Sequence, residues 1–203
     1  MTNAQTIHVA LYDSLADWEV GHLLAELRTG RFTDTPFEVV TVAETTDPIT
    51  TMGGVRMLPD ITLAELDPAA SALLVLPGGE VYDAGGGEAF AAAARRFLDA
   101  GVPVAAICGA TAGLARAGLL DDRAHTSAAA EYLAYTGYAG GEHYVDERAV
   151  ADGNVITAGP QSPVQFARAT LAHLELASEA KLDAYEAVFD RGDASGYPAL
   201  MAA

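Results

Sequence analysis

The chain of 203 residues contains one cysteine, so it cannot form an intramolecular disulfide. This cysteine usage is typical of proteins in a reducing compartment, and we expect a cytoplasmic protein. Residues 1–14 have no basic region and no long apolar run, which argues against a secretory signal. Apolar runs long enough to cross a bilayer are also missing, because the longest, such as residues 102–107, have only the length of a strand.

Basic residues are few: 11 Lys and Arg stand against 28 Asp and Glu, for a formal net charge of -17 at pH 7. Such a surface repels phosphates and anionic lipid headgroups, so we exclude nucleic acids and membranes as partners. Aromatic residues make up only 7%, but apolar residues make up 51%, which argues against a disordered chain. The chain has no clear linker or internal repeat, so we predict a single domain over residues 1–203.

Short apolar runs alternate with helical patterns along the chain, which is typical of a parallel α/β sheet. Predicted strands cover residues 7–12, 37–42, 71–76, 102–107 and 154–158, with a short strand pair around Gly53 and Gly54. Predicted helices cover residues 17–28, 88–100, 109–117, 128–135 and 162–174, and a last helix follows an N-cap at Ser178. Residues 137–153 predict a hairpin or loop near the site, and the tail after about residue 190 is expected to be loose.

The stretch VPVAAICGATAGLARAG runs from a buried strand through Cys108 directly into a helix. A nucleophile at such an elbow is presented above the carboxyl edge of the sheet. The helix start favours thiolate over thiol, and the N–H of Gly109 is positioned to stabilise an oxyanion. A lone cysteine is more often a small buried apolar residue. The strand–Cys–Gly–helix context favours the reactive interpretation.

Two further segments follow predicted strands and therefore reach the same edge of the sheet. Pro77, Gly78 and Gly79 end one strand, and the N–H of Gly79 is a second candidate oxyanion donor; alternatively, this is an ordinary tight turn. Asp17 or Glu19, after the first strand, places a carboxyl group within reach of the cysteine. Alternatively, these acids only complement the dipole of the first helix.

Together, AAICGATAGLARAG, LLVLPGG and the acid in LADWEVG resemble the ThiJ/PfpI family of the class I glutamine amidotransferase-like superfamily. The similarity covers residues 7–174 and implies a flavodoxin-like three-layer sandwich with a mostly parallel central sheet, often a homodimer. It also implies that Cys108 is the reactive residue and that Glu19, rather than Asp17, hydrogen-bonds to its sulfur. Gly79 and Gly109 then match the oxyanion donors.

The chain departs from this family pattern where many members carry His or Tyr after the elbow helix. An ungapped reading places Ala128 there, and His125, three residues earlier, is the remaining candidate base. Proteolytic members often have His directly after the cysteine, where this chain has Gly109, so peptidase activity is less favoured than the other reactions. The other histidines are interpreted as structural or surface residues, and we predict no metal site and no cofactor.

Three functions remain open at this point. The first is a cysteine-dependent, hydrolase-type enzyme acting on a small reactive carbonyl or related electrophile by hydrolysis, hydration or a glyoxalase-like reaction. The second is a redox-responsive stress-protection protein in which Cys108 oxidises to a sulfinate. The third is a non-catalytic binding module on the same fold, supported by the missing histidine at position 128.

Overall fold

In the computed structural model, which describes residues 5–202, strands form a central sheet and a small hairpin. The strands are β1 (Thr6–Ala10), β2 (Glu38–Ala43), β3 (Ile49–Thr50), β4 (Arg56–Met57), β5 (Ile61–Thr62), β6 (Leu73–Leu76), β7 (Val104–Ile107), β8 (Ala149–Asp152) and β9 (Val155–Ala158). The seven-stranded sheet has the order β5-β2-β1-β6-β7-β9-β8, and only β8 runs antiparallel to its neighbour. β3 and β4 pair separately as the predicted hairpin.

Helices cover both faces of this sheet. They are α1 (Gly21–Thr29), α2 (Glu80–Asp83), α3 (Glu88–Asp99), α4 (Gly109–Arg116), α5 (Ala130–Ala134), α6 (Pro163–His173), α7 (Glu179–Phe189) and α8 (Tyr197–Leu200). One buried cluster joins the sheet to α3, α4 and α5, and the other joins it to α1, α6, α7 and α8. The predicted flavodoxin-like three-layer sandwich is therefore confirmed.

Strand β7 lies between these two clusters, and its side chains alternate between them. Val104 and Ala106 belong to the cluster under α3 and α4, whereas Ala105 and Ile107 belong to the opposite cluster. All four are fully buried. Burying a side chain such as Ile107 contributes roughly 1.5–3 kcal/mol, so the strand that carries Cys108 is anchored on both faces.

Two predicted helix ends are observed for the expected physical reasons. Gly30 ends α1 in the left-handed conformation, with φ of 61°, and its N–H donates to the Glu26 carbonyl. Ser178 caps α7 by accepting from the Lys181 N–H. None of the helices among residues 5–202 is long and apolar enough to cross a membrane.

The structure corrects several boundaries. α1 begins at Gly21 rather than at residue 17. The residues before it form a turn held by contacts to other segments: the Ala16 N–H donates to the Gly78 carbonyl, and the Asp17 carboxylate accepts from the Gly53 N–H. The tail expected to be loose contains α8, whose Leu200 is buried against the core. Residues 137–153 contain a 3-10 turn at Gly140–His143 and the strand β8, which forms a hairpin with β9.

The order of the strands positions the candidate site. β1, β6 and β7 are adjacent and parallel, so the segments that follow them meet at one edge of the sheet. Those segments contain Glu19, the Pro77–Gly79 turn and Cys108, respectively. The chain order of the strands also reverses at β1 and β6, which is where open α/β sheets bind ligands.

Candidate active site at the Cys108 elbow

Cys108 links β7 directly to α4 and has a backbone conformation that side chains rarely adopt. Its φ is 57° and its ψ is -126°, and a non-glycine residue held in such a region stores on the order of 1–3 kcal/mol. The surroundings hold it there: its N–H donates to the Ala158 carbonyl at 3.0 Å, and the Thr111 hydroxyl donates to its carbonyl at 2.6 Å. The side chain is partly exposed, as a nucleophile elbow requires.

Glu19 is fully buried and lies in the turn before α1. The Gly78 N–H donates to its Oε2 atom at 2.6 Å, and Oε1 has no hydrogen-bond partner among nitrogen and oxygen atoms of the described residues. Asp17 has a different role, because its carboxylate accepts from the Thr51 hydroxyl and the Gly53 N–H in the β3–β4 hairpin. The structure thus brings Glu19, and not Asp17, to the cysteine.

Gly78 separates the acid from the thiol. A Cβ atom added there would lie 2.7 Å from Glu19 Oε2 and 2.9 Å from Cys108 Sγ, closer than real Cβ atoms approach. Only glycine fits at this position, because the side chains on both sides contact the backbone itself. The motif LLVLPGG predicts the turn but points to Gly79 as its functional residue, so the role of Gly78 was missed.

The two predicted oxyanion donors differ in their surroundings. Gly79 lies over the Tyr12 ring, and its backbone is bridged to Leu15 after β1. The Gly109 N–H lies at the first position of α4, directly after Cys108, and lowers the pKa of the thiol. One predicted donor therefore belongs to the residue next to the reacting one.

The balance of effects nevertheless raises the pKa of Cys108. Burial is the largest cause, and the negative charge of Glu19 and its hydrogen bond to the thiol add to it. The predicted effect of the helix start is present, since the Gly109 N–H lowers the pKa of the thiol, but desolvation and the carboxylate outweigh it. Burial also raises the pKa of Glu19, against the lowering effect of its bonds to Cys108 and Gly78. Because the pKa values of both groups are raised, the Cys108 thiol and the Glu19 carboxyl group are suited to sharing one proton.

His125 does not join this site. It is fully buried, its Nδ1 lies 2.8 Å from the Arg123 carbonyl oxygen, and its Nε2 lies 3.0 Å from the Tyr138 hydroxyl. Both ring nitrogens are therefore engaged away from Cys108, and the structure contradicts the prediction of His125 as a base for this thiol. Ala128, at the position where many family members carry His or Tyr, is exposed and has no polar side chain.

A cavity of ≈ 340 Å³ opens beside the elbow. Its lining includes Tyr82, Asp83, Ala112 and Tyr132. Ala112 is one helical turn beyond Cys108, and Tyr82 packs against Gly109 at the start of the same helix. Asp83 and Tyr132 were not predicted, because no motif links two residues so far apart in the chain. Within residues 5–202, no three His, Cys, Asp or Glu side chains are grouped closely enough to hold a metal ion.

The fold and the elbow define a class: a doubly wound α/β protein with a cysteine at the carboxyl edge of its sheet, facing a buried acid. Residues 5–173 match the DJ-1/PfpI family model, and the chain belongs to the DJ-1/PfpI family. The family predicted from the sequence is thereby confirmed.

Individual relatives agree with this assignment. The chain is 35% identical over 175 residues to a Bacillus subtilis protein named uncharacterized protease YoaZ, covering 84% of this chain and 83% of the relative. A crystal structure of a ThiJ/PfpI family protein from Bacillus anthracis superimposes with a TM-score of 0.91 at 35% identity, covering 97% of this chain and 95% of that one. A DJ-1 superfamily protein from Agrobacterium tumefaciens gives a TM-score of 0.80 at 37% identity, covering 90% and 97%.

Proposed function

We propose that this protein is a cysteine-dependent, hydrolase-type enzyme that acts on a small reactive carbonyl compound or a related electrophile. The observation that carries the proposal is the placement of Cys108 at a strained elbow, next to the buried carboxyl group of Glu19. Local strain and a buried acid both cost stability, and such features concentrate at functional sites. Membership of the DJ-1/PfpI family supports the same interpretation.

The proposed first step uses residues already described. The Cys108 thiol passes its proton to Glu19 as the sulfur attacks the carbonyl carbon and forms a C–S bond. The π electrons of the carbonyl move to its oxygen, where the Gly79 and Gly109 N–H groups stabilise the negative charge. Return of the proton from Glu19 to this oxygen gives a neutral adduct, from which hydration or hydrolysis by water proceeds.

Peptide hydrolysis is the less suitable reaction, although relatives are named uncharacterized proteases. Amides are poor electrophiles, and general-base and general-acid help contributes about 10²–10⁴-fold to such reactions. His125, the histidine predicted to serve Cys108, is engaged elsewhere. Attack on a reactive carbonyl needs less acid and base catalysis from the site, because no leaving amine has to be protonated.

The test is a panel of small aldehydes, amides and isocyanides assayed with the wild type, Cys108→Ala and Glu19→Gln. Asp17→Asn is the matched control, since it removes a carboxylate two residues from Glu19 that serves the β3–β4 hairpin instead. We expect turnover of at least one carbonyl compound, abolished by Cys108→Ala and retained by Asp17→Asn. Turnover that survives Cys108→Ala would refute the proposal.

A redox-responsive role is the second candidate, and one observation favours it: Cys108 Sγ and the Glu19 carboxyl group both lie against Gly78, and the Gly109 N–H follows directly, so that an acid and a donor are available to the oxygens of a sulfinate. The raised pKa of Cys108 opposes it, because the thiolate is the form that peroxide oxidises. Intact-mass measurement after graded peroxide distinguishes the two. A Cys108 that resists peroxide in the folded protein but oxidises when unfolded would exclude this role.

The other predictions from the sequence stay predictions. A homodimer is implied by the family, and the acidic charge argues against nucleic-acid and membrane partners. The cytoplasmic location is an expectation that the cysteine usage supports. Sedimentation at several protein concentrations tests the dimer directly.

A further inference from the structure

The cavity beside the elbow contains a hydrogen-bonded pair of side chains that the proposed first step does not use. The Tyr132 hydroxyl donates to Asp83 Oδ1 at 2.7 Å. The two residues come from α5 and α2, and both line the cavity together with Tyr82, which packs against Gly109. Asp83 lies at the end of the short helix that begins after Gly79, one helical turn from this proposed oxyanion donor.

The pair presents hydrogen-bond acceptors to the cavity. Because the Tyr132 proton is committed to Asp83, the Tyr132 oxygen retains its lone pairs, and Asp83 Oδ2 is a second acceptor. Within the described part of the chain, no Lys, Arg or His side-chain nitrogen lies within 4.0 Å of the Asp83 carboxylate. Arg116, also at the cavity, donates to the carbonyls of Tyr82 and Gly86. The Asp83 charge is therefore not neutralised by an ion pair.

The pair also interacts electrostatically with the reactive residue. The charge of Asp83 contributes to raising the pKa of Cys108, after the larger effects of burial and Glu19. The charge of the Cys108 thiolate contributes, after burial and Asp83, to raising the pKa of Tyr132. A molecule that enters the cavity and reaches Cys108 thus passes within the field of Asp83.

On the basis of the proposed function, we propose that Asp83 and Tyr132 determine its substrate specificity. They select uncharged or cationic electrophiles that carry an O–H or N–H donor near the reacting carbon, and they discriminate against compounds that carry a carboxylate. The donor pairs with the Tyr132 oxygen or Asp83 Oδ2, whereas a carboxylate meets the unneutralised charge of Asp83. Specificity of this kind combines a favourable contact with a repulsive one.

The test uses alkylation of Cys108, which needs no knowledge of the natural substrate. Since the chain has one cysteine, intact mass reports on this residue alone. The thiolate sulfur attacks the CH₂ carbon of the reagent, a C–S bond forms, and iodide leaves. The probes are iodoacetamide, which is neutral and carries N–H donors, N,N-dimethyl-iodoacetamide, which is neutral without a donor, and iodoacetate, an anion. Each rate is divided by that of a free thiol to remove intrinsic reactivity.

The variants are Asp83→Asn and Tyr132→Phe, and rate ratios between probes cancel any change in the pKa of Cys108. We expect Asp83→Asn to raise the iodoacetate rate relative to iodoacetamide by about 3–10-fold, as expected for removing one nearby charge. Tyr132→Phe should lower the advantage of iodoacetamide over its dimethyl analogue by about 2–10-fold, the value of one hydrogen bond. Glu80→Gln removes an exposed acid from the same short helix, and Tyr135→Phe removes a hydroxyl that is exposed at the same cavity.

The possible results separate this inference from the proposed function. Ratios that equal those of the wild type in both variants, with a thiol that reacts, would overturn the role of Asp83 and Tyr132 and leave the reactive cysteine intact. The role of Asp83 and Tyr132 would also be overturned if the control variants Glu80→Gln and Tyr135→Phe shifted the rate ratios as strongly as Asp83→Asn and Tyr132→Phe do. A Cys108 that reacts with no probe while folded, but reacts when unfolded, would overturn both proposals.

Discussion

Glu19 and Cys108 lie on opposite sides of the Gly78 backbone, so that an added Cβ atom there would approach the carboxylate to 2.7 Å and the sulfur to 2.9 Å. The Gly78 N–H donates to the carboxylate at 2.6 Å. The acid is thereby held against the thiol by the main chain of a third segment. This arrangement explains why the turn after β6 needs glycine and why the carboxyl group can be buried without a cation.

Replacing Glu19 with Gln should separate two effects on Cys108. The negative charge that helps raise the pKa of the thiol disappears, so the pH midpoint of iodoacetamide alkylation should fall. Turnover should fall by about 10²-fold or more, since the thiol loses its proton acceptor. The measurement is the pH–rate profile of both reactions, with Asp17→Asn as the control that should shift neither. An unchanged alkylation midpoint would contradict the assigned contact.

Much of this site follows from local sequence pattern. The apolar run before Cys108 and the small residues after it predict the strand–elbow–helix unit, and LLVLPGG predicts the strand and turn beside it. Both patterns are local, because a buried parallel strand and the turn at its end are encoded within about ten residues. Glu19 was found through the family resemblance, which supplied the long-range pairing.

The parts that were not predicted depend on contacts between distant segments. Periodicity extends the first helix back to residue 17, but the chain there forms a turn held by the Gly78 carbonyl. His125 follows no periodic segment, and nothing local shows that its ring turns towards Tyr138. The bond between Asp83 and Tyr132 joins residues from two short helices that carry little pattern of their own.

Gly78→Ala should damage the site more than it damages the fold. The new methyl group would overlap the Cys108 and Glu19 side chains, and relief of such overpacking typically costs about 1–3 kcal/mol. We expect the free energy of unfolding, measured in urea, to fall by this amount. We also expect a displaced Cys108 side chain with altered alkylation kinetics. The matched control is Gly21→Ala, where an added Cβ meets nothing within 4 Å. Equal effects of the two substitutions would argue against the close contact at Gly78.

His125 should make stability depend on pH. Burial lowers its pKa below the ordinary value of 6.5, so the unfolded chain takes up this proton at a higher pH than the folded chain does. Its contribution to stability is present above about pH 6.5 and is lost as the pH falls through the folded pKa. The free energy of unfolding of the wild type, minus that of His125→Gln, should therefore decrease between about pH 7.5 and pH 5.

Two other histidines with lowered pKa values, the buried His8 and the partly buried His22, titrate in both of these proteins and cancel in the difference. Iodoacetamide alkylation of Cys108 should be the same in His125→Gln and the wild type, because the ring does not contact the thiol. A free-energy difference that stays constant with pH would contradict the buried neutral ring. A slower Cys108 in the variant would restore His125 as a candidate base.

Glu26 and Arg31 form an ion pair at the end of α1 whose two members have unequal exposure. The Glu26 side chain is fully buried, whereas that of Arg31 is 50% exposed, and Arg31 Nε donates to Glu26 Oε2 at 2.8 Å. Arg31→Met leaves a buried carboxylate without its partner, which costs about 3–5 kcal/mol in closed sites and less here, where water reaches the arginine. We expect Arg31→Met to lower the free energy of unfolding, measured in urea, by about 2 kcal/mol or more.

Arg28→Met is the matched control for this substitution, because Arg28 is an exposed arginine on the same helix. It should change stability by less than about 0.5 kcal/mol. Adding Glu26→Gln to Arg31→Met should recover part of the loss, since the stranded charge is then removed. A double variant no more stable than Arg31→Met would show that the loss comes from Arg31 packing over the Phe32 ring, 4.5 Å from its centroid, and not from the unpaired carboxylate.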